Sequence, residues 1–407
     1  MKLRNLKNQI TYCLSALVPK QKDMWTFGAW LGNRYSDNPK AFLSYMVNNY
    51  PEYRYNWISK VPINDPALEG KCRILEYGSP EARKAVLRSK FIVTSHGSED
   101  LCTPNLTGGA IRIQLFHGVG WKHYGRDIFK PSGNKIKDYL KKLNYRWAQW
   151  LEARGDVFEC SSEKNKKTLM RALGAKEKSF VNAGQPRNEI FYDTEYCDRI
   201  KEKILFQLGI TDTSTKIIAY LPTFRDSGIR RFSFLDIEQE IEGYLDHVVI
   251  IEKSHFGEKT EDGTYVSKHI INGAEINTQE LMAAANIVVS DYSSCWIDFL
   301  CTGRPVVQFL YDYGFYKDKD RGLYFPVEEM DCGHVAYDEK ELIEIIGIFC
   351  REGLQVTDKQ KHVKETMLTY ESPRNSEIIY QEIERRYINR CVCSKRFGAK
   401  SDNYHYF

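Results

Sequence analysis

The sequence predicts an α/β protein of two domains, each built on a parallel β-sheet covered by helices. Two observations point to this fold. The chain has 407 residues, whereas a single hydrophobic core stops growing at about 250–300 residues. Short β-rich runs also alternate with helical segments along most of the chain, which is the pattern of parallel sheets with covering helices. Hydrophobic residues make up 42% of the chain, enough for two packed cores.

The predicted elements fall into two successive series. The strands of the first series span residues 56–60, 73–78, 91–96, 112–117, 157–161 and 179–183. The second series has strands at 216–221, 247–252, 285–290 and 305–310, separated by helices at 236–245, 278–285 and 294–301. We therefore expect a basic N-terminal helix over residues 1–22, a first domain over 23–184, a second over 185–390 and a polar tail over 391–407.

Charge and cysteine usage exclude several classes of protein. The 58 Lys and Arg residues against 54 Asp and Glu leave a net charge of +4, too little over this length for a dedicated nucleic-acid-binding protein. The eleven cysteines are scattered without any C-x-x-C pair, which favours reduced thiols over disulfides or a zinc site. No apolar run reaches the 18 residues of a membrane-spanning helix.

Two segments have the pattern of a basic amphipathic helix at a membrane surface. In the first 22 residues, apolar side chains recur at helical spacing at Leu3, Leu6, Ile10, Leu14 and Leu17, with no acidic residue among them. A second apolar stripe contains Ile136, Tyr139, Leu140, Leu143, Trp147, Trp150 and Leu151, beside Lys137, Lys141, Lys142 and Arg146. This pattern suits an anionic bilayer surface. A helix packed against its own domain would show nearly the same stripe.

Chemistry is expected at the carboxyl ends of the strands, where ligands bind in open α/β sheets. Four of these ends carry polar residues. They contain His117, Gly118 and Lys122 after the β-rich run 111–116; Thr223 and Arg225 after 216–221; Lys253 and His255 after 247–252; and Asp291, Ser293 and Ser294 after 285–290.

These residue types suit displacement at a phosphate. Ser293 and Ser294 precede a predicted helix, where hydroxyls and free backbone N–H groups can hold an anion, although a serine N-cap alone would explain them. Arg225, Lys253 and Lys122 can neutralise a diphosphate. His117 and His255 are the candidates for proton transfer, because the unperturbed pKa of a histidine lies close to neutral pH.

Common nucleotide and metal motifs are absent from the sequence. There is no G-x-x-x-x-G-K-[ST] and no G-x-G-x-x-G after a strand, so neither a P-loop nor a dinucleotide cofactor is supported. Asp318 and Asp320 stand in a D-x-D arrangement, but the lysines around them favour a solvated loop. We assign no metal and no cofactor.

Six motifs in order along the chain carry a resemblance. They are F-H-G-V-G-W-K at 116–122, G-Q-P-R-N-E at 184–189, L-P-T-F-R-D at 221–226, K-S-H at 253–255, S-D-Y-S-S at 290–294 and R-G-L-Y-F at 321–325. This series resembles the CDP-glycerol glycerophosphotransferases, the teichoic acid primases and polymerases. The resemblance implies a GT-B-like pair of Rossmann-type domains with a cleft between them. It also implies a peripheral enzyme on the cytoplasmic face of the bacterial membrane.

The activity implied is transfer of a polyol phosphate, with glycerol phosphate favoured, from a CDP-polyol to a hydroxyl of a lipid-linked or polymeric acceptor. The product would be a teichoic acid or a capsule-type polymer, and CMP would be released. An ordinary nucleotide-sugar glycosyltransferase is the alternative within the same fold. A catalytically silent scaffold that binds anionic polymer is the alternative of another class.

The resemblance also implies roles for individual residues. His117 corresponds to the family's candidate base and His255 to its second essential histidine, although the reverse assignment is open. The donor contacts expected are Arg225, Ser293, Ser294, Lys253, Asp291 and Thr223, and the acceptor side includes Gly118 and Lys122. The family pattern W-H-G-T-P-L-K is altered here at Val119, Gly120 and Trp121, so we expect the acceptor side to differ in shape.

Overall fold

The computed structural model describes residues 3–129, 132–148, 155–223, 232–253, 267–315 and 322–389. Within this part, the chain forms a seven-stranded sheet followed by a six-stranded sheet. All strand pairs in both sheets are parallel. The predicted α/β class with two parallel sheets is therefore confirmed.

The first sheet has the strand order β3-β2-β1-β4-β5-β6-β7. Its strands are β1 (Gln21–Phe27), β2 (Arg54–Ser59), β3 (Cys72–Glu76), β4 (Ser89–Thr94), β5 (Ile111–Gln114), β6 (Val157–Cys160) and β7 (Phe180–Asn182). The helices among them are α1 (Leu3–Ser15), α2 (Asp37–Asn49), α3 (Pro80–Arg88), α4 (Lys135–Ala148) and α5 (Glu163–Leu173). The six predicted strands of this half are present, and their ends differ from the expected ones by at most two residues, except that β5 ends at Gln114 instead of His117.

The central strand β1 was not predicted, and it corrects the N-terminal boundary. Helix α1 ends at Ser15, and residues 21 and 22, assigned above to the N-terminal helix, begin β1. The first half of this strand, Gln21 to Asp23, is polar, which masks the strand pattern in the sequence. Its second half supplies Trp25, which is fully buried and stacks on Phe91 of β4 with ring centroids 4.2 Å apart.

The second sheet has the strand order β10-β9-β8-β11-β12-β13. Its strands are β8 (Lys216–Leu221), β9 (Val248–Glu252), β10 (Ile270–Asn272), β11 (Ile287–Ser290), β12 (Val306–Phe309) and β13 (Val335–Ala336). Around them lie α6 (Thr194–Gln207), α7 (Glu238–Ile241), α8 (Thr278–Ala284), α9 (Cys295–Phe299) and two later helices, Glu339–Glu352 and Asp358–Met367. Strands β10 and β13, of three and two residues, were not predicted.

The chain returns to the first sheet near its end. The helix Asn375–Ile383 buries Ile379, Tyr380 and Ile383 in the same core as Trp25. The second domain expected over 185–390 is therefore wrong in its last part, because this helix completes the first core. A helix-rich stretch predicts no particular sheet as its partner, so the sequence alone did not indicate the crossing.

The cysteines of the described residues are free thiols. Across those same ranges, no helix combines the length and apolar character needed to cross a bilayer. The polar tail expected over 391–407 lies outside the described residues.

Candidate active site

The two sheets meet where the turn after β5 contacts the start of α9. Gly118 in that turn has φ +138°, and a Cβ placed on it would lie 2.8 Å from Ser294 Oγ and 3.1 Å from Arg187 Nη2. Only glycine fits such a conformation at such a distance. The structure therefore brings His117 and Gly118 of the first sheet to Ser294 of the second. We call the space between the carboxyl ends of the two sheets the cleft.

His117 is exposed to this cleft. Its ring is stacked on that of His96, with centroids 3.8 Å apart and planes inclined by 1°. Its Nδ1 lies 3.5 Å from the backbone carbonyl oxygen of Ser95. Desolvation, followed by the neighbouring His96, lowers the pKa of His117. The imidazole is therefore neutral at neutral pH, as a general base must be.

The backbone around His117 is unusual. Phe116, directly before it, has φ +52°, and Trp30, Leu31 and Asp37 have φ between +50° and +73°. Residues other than glycine rarely adopt this left-handed conformation, and such residues cluster at functional sites. Trp30 lies 4.4 Å from the His96 ring and 5.9 Å from the His117 ring, measured between centroids. Its Nε1 donates to Asp37 Oδ2 at 2.9 Å.

Arg187 connects the two domains through a buried ion-pair network. It donates to Asp37 Oδ1 at 2.6 Å and to Asp298 Oδ2. Asp37 begins α2 beside the first sheet, whereas Asp298 belongs to α9 beside the second. The side chains of Arg187, Asp37 and Asp298 are only 13%, 2% and 0% exposed. Asp298 also accepts from the side chains of Gln185 and Asn188, so the motif at 184–189 forms the joint of the cleft.

The altered centre of the first motif anchors the His117 turn in the second domain. Val119 and Trp121 are buried in that domain's core, where Trp121 packs edge-on against Trp296 with centroids 5.6 Å apart. Trp121 Nε1 donates to the backbone carbonyl of Phe325 at 2.9 Å. Lys122 forms an antiparallel bridge with Leu323. Leu323 and Phe325 of the R-G-L-Y-F motif therefore contact this turn.

Asp291 ties two strand ends of the second sheet together. Its Oδ1 accepts from the backbone N–H of Thr223 at 2.8 Å and from that of Ser293 at 3.3 Å. The residue is 1% exposed. Asp291 therefore shapes the loops after β8 and β11, and a direct donor contact for Asp291 or Thr223 stays a prediction.

The two serines lie at the start of α9, as predicted. Ser294 is the N-cap residue, but its hydroxyl accepts no capping hydrogen bond. Ser293 Oγ accepts from the backbone N–H of Cys295 at 3.4 Å, a long contact. A purely capping role therefore explains Ser294 poorly, and both side chains are half-buried at the cleft.

Lys253 follows β9 and donates to the backbone carbonyls of Gly273 and Ala274 at 3.2 and 2.8 Å. Burial, and next the charge of Arg34, lower the pKa of Lys253. Arg34 belongs to the loop between β1 and α2, so cations from both domains approach each other here. Arg225 and His255, and the D-x-D residues Asp318 and Asp320, lie outside the described residues. Within the described ranges, no group of three or more His, Cys, Asp or Glu side chains is arranged to hold a metal.

A second feature of interest is the pair of helices with exposed apolar faces. On α4, the exposed fractions of Ile136, Tyr139, Leu140 and Leu143 are 74%, 63%, 58% and 42%. On and just after α1, those of Leu6, Ile10, Leu14 and Leu17 are 39%, 52%, 59% and 78%. These eight side chains are not buried in a core of their own domain, although α1 does contact the first domain through Ser15, whose hydroxyl accepts from the backbone N–H of Gly108 at 2.9 Å.

The basic side of α4 is described only in part. The ammonium groups of Lys141 and Lys142 lie 5.6 and 5.2 Å from the centroid of the Phe129 ring. Lys137 lies on the same helix. The side chains of Arg146 and Trp147, and the whole of Trp150, lie outside the described part of the chain.

Comparisons with known proteins agree with this architecture. The chain is similar to the teichoic acid poly(glycerol phosphate) polymerase of Bacillus subtilis strain 168, at 26% identity over 360 residues, covering 85% of this chain and 47% of that protein. It thus spans about half the length of that relative. It is also 26% identical over 356 residues to the teichoic acid glycerol-phosphate transferase of Staphylococcus aureus, covering 83% of this chain and 86% of that protein.

A solved structure shares the fold. The wall teichoic acid polymerase TagF, in an H444N variant soaked with CDPG, aligns with a TM-score of 0.75 at 22% identity, covering 94% of this chain and 97% of that chain. The family model of the CDP-glycerol:poly(glycerophosphate) glycerophosphotransferases matches residues 10–385. The chain therefore belongs to the CDP-glycerol:poly(glycerophosphate) glycerophosphotransferase family.

Proposed function

We propose that this protein transfers glycerol phosphate from CDP-glycerol to a hydroxyl of a lipid-linked or polymeric acceptor, in the synthesis of a teichoic acid or capsule-type polymer. The observation that carries the proposal is the contact of the His117–Gly118 turn with Ser294. This contact supports the proposal because an imidazole that is neutral at pH 7 then lies near a serine hydroxyl that can hold an anion, in a chain of this family.

The chemical step is displacement at the β-phosphorus of the donor. His117 takes the proton of the acceptor hydroxyl, and the acceptor oxygen forms a new bond to the β-phosphorus. The bond from this phosphorus to the bridging oxygen breaks, and its electron pair leaves with CMP. Each turnover thus forms one phosphodiester, releases one CMP and frees one proton.

The donor diphosphate is best held on the second domain. Ser293 and Ser294 offer hydroxyls at the cleft, and Lys253 and Arg225 follow the neighbouring strands. Lys253 is half-buried and has a lowered pKa next to Arg34, a situation that a bound anion would relieve by pairing with both cations. His255 follows Lys253 by two residues and is the candidate for a second contact with the diphosphate. The cations supply charge stabilisation as the leaving group departs.

The acceptor side lies on the first domain, at Gly118 and Lys122. Because Val119 and Trp121 are buried in the second domain, the main chain from Gly118 to Lys122 runs across the cleft. An acceptor hydroxyl that reaches His117 therefore approaches along this turn. Val119, Gly120 and Trp121 replace the centre of the family pattern W-H-G-T-P-L-K. This change supports an acceptor that differs from the acceptors of relatives that keep the pattern.

The reaction is tested by incubating the purified protein with CDP-glycerol and, separately, CDP-ribitol, each with a lipid-linked acceptor. Both donors belong in the panel because a teichoic acid ribitol-phosphate polymerase of Staphylococcus aureus is 27% identical over 284 residues. We expect CMP release from CDP-glycerol that depends on the acceptor. Preference for CDP-ribitol would mean that the transferred polyol is ribitol and not glycerol. Turnover of nucleotide sugars alone, with release of a nucleoside diphosphate, would contradict the proposal and indicate a glycosyltransferase.

We propose further that α1 and α4 dock the protein on the anionic cytoplasmic face of the membrane, where a lipid-linked acceptor lies. The exposed apolar side chains of both helices support this, because such faces insert at the boundary of headgroups and acyl chains. Basic residues near the surface add about 1 kcal/mol each.

Docking is tested by changing Lys137, Lys141, Lys142 and Arg146 to glutamate. Loss of four basic residues corresponds to about 4 kcal/mol, roughly a thousandfold weaker binding, so sedimentation with vesicles containing anionic lipid should be lost. The matched control changes four exposed lysines elsewhere to glutamate, namely Lys167, Lys176, Lys340 and Lys361. Equal loss in both variants would indicate a net-charge effect and contradict docking through α4.

A further inference from the structure

The ring of His96 is stacked on one face of the His117 ring. The two planes are inclined by only 1° at a centroid distance of 3.8 Å, which is close to the contact distance of two flat rings. Trp30 packs against the pair, nearer to His96 than to His117. His117 is therefore not a freely rotating side chain at the end of a strand.

His96 is itself held by a buried carboxylate. Asp100, which is 0% exposed, accepts from the backbone N–H groups of Leu31, Ser95 and His96, each at 2.8 Å. The hydroxyl of Ser95 lies 2.9 Å from His96 Nδ1, and the carbonyl of the same residue lies 3.5 Å from His117 Nδ1. Ser95 thus contacts both rings. Three charge-assisted hydrogen bonds to one buried carboxylate make this turn after β4 a rigid support.

The stack also affects the charge of His117. Two imidazolium rings at this distance would repel each other, so protonation of one disfavours protonation of the other. The other charged groups that face His117 are Asp37, which favours its protonation, and Arg187, which disfavours it. Arg187 and Asp37 are paired with each other, so their effects partly cancel. Desolvation, opposed by Asp37, lowers the pKa of His96 as well.

We propose that His96 is a positioning residue that fixes the orientation of the His117 ring and, through the repulsion between the two stacked rings, disfavours protonation of His117. With Nδ1 of His117 directed at the Ser95 carbonyl, Nε2 is the nitrogen left to accept a proton. The inference rests on the proposed function only in taking His117 as the base. The stack, the Asp100 support and the mutual repulsion of the rings stand without it.

The test compares His96→Phe and His96→Ala in the full-length protein. Phenylalanine keeps a flat ring against His117 but removes the second titrating group, whereas alanine removes both. The titration midpoint of His117 is followed by NMR of ¹⁵N-histidine-labelled protein, with its signal assigned from a His117→Gln variant. His247→Asn is the control, because His247 is exposed and pairs with Asp212 on the second domain.

We expect the His117 midpoint to rise in both His96 variants by about one pH unit, a tenfold change in proton affinity. The acid limb of kcat/KM should move by the same amount. In His96→Ala, kcat should fall about tenfold more than in His96→Phe, with KM for CDP-glycerol within twofold of wild type, because only alanine releases the ring. The control should leave the midpoint in place.

An unchanged midpoint in His96→Phe would overturn the inference and leave His96 a space-filling residue. Equal kcat in the alanine and phenylalanine variants would overturn its positioning role. The NMR titration needs no turnover, so the inference and the proposed function can fail separately. If the midpoint shifts but the protein releases CMP from none of the donors, the inference is supported and the proposed function is contradicted.

Discussion

Replacement of Arg187 by methionine tests the joint between the two domains. Methionine approximates the length of the arginine stem but has no charge and no hydrogen-bond donor. The substitution leaves Asp37 and Asp298 without the cation that both now contact, at 2% and 0% side-chain exposure. Breaking a buried ion pair by removal of one partner typically costs about 3–5 kcal/mol.

The remaining contacts decide where in that range the loss should fall. Asp37 keeps the hydrogen bond from Trp30, and Asp298 keeps those from Gln185 and Asn188. Neither carboxylate is left without any donor, so we expect a loss near the lower limit, about 3 kcal/mol. At about 1.4 kcal/mol per factor of ten, this is more than a hundredfold change in the unfolding equilibrium.

The loss of stability in Arg187→Met should become smaller as the pH is lowered. Burial raises the pKa of Asp298, and Arg187 opposes that rise. Without the arginine, the native state holds this proton more tightly than the unfolded chain does, so stability increases as pH falls towards the native pKa. The difference between wild type and Arg187→Met should therefore be smaller at pH 5 than at pH 7.

Urea unfolding at both pH values measures these effects. Arg54→Met is the control, because Arg54 pairs with Asp23 at 2.7 Å while both side chains are about half-exposed, at 53% and 48%. An exposed pair contributes at most about 1 kcal/mol. Equal losses for the two variants, or a loss for Arg187→Met that grows as the pH is lowered, would refute this account of the joint.

Two further variants address the cleft. Gly118→Ala should lower kcat at least tenfold and cost about 1–3 kcal/mol of stability, because a Cβ at φ +138° would contact Ser294 Oγ at 2.8 Å; wild-type turnover with unchanged thermal unfolding would contradict the close approach. Changing Ser293 and Ser294 together to alanine should weaken CDP-glycerol binding about tenfold or more in calorimetry, since two hydroxyl contacts to an anion are lost. Unchanged affinity would limit the two serines to a structural role, and unfolding must be measured in parallel because Ser293 contacts the start of α9.

The buried strands of the fold were predictable because their pattern is local. Continuous apolar runs such as Val248 to Ile251 mark strands covered on both faces. The central strand β1 lacked that mark, since polar Gln21 to Asp23 precede its buried half. The packing of the helix Asn375–Ile383 on the first sheet depends on contacts with residues more than 300 positions earlier, such as Tyr53 with Tyr380, and no local pattern encodes them.

The residues of the candidate site also divide into those that a local sequence pattern indicates and those that it does not. Residues in the turns after strand ends, such as His117 and Ser294, were singled out from their position in the sequence pattern. Trp30 and Asp37 were missed because they reach the site through a loop with left-handed backbone rather than at a strand end. His96 was missed because it was placed inside the predicted strand at 91–96, whereas β4 ends at Thr94.

One missed residue did leave a signal in the sequence. Asp298 stands alone as a charge within the apolar run Trp296 to Leu300, and a carboxylate in a buried helix requires a partner. That partner, Arg187, lies in the G-Q-P-R-N-E motif, which was noted without a role. The pairing itself required the three-dimensional structure.

The most direct test of the account is acceptor-dependent CMP release from CDP-glycerol by the wild-type protein and by His117→Ala, with donor binding measured on both. We predict that the wild type releases CMP. The rate should fall roughly 10²–10⁴-fold in the variant, as expected for removal of a general base. The affinities of the two proteins for CDP-glycerol should agree within twofold. Near-wild-type CMP release by the folded variant would contradict the assignment of His117 as the base, and release of a nucleoside diphosphate in place of CMP would contradict the proposed reaction.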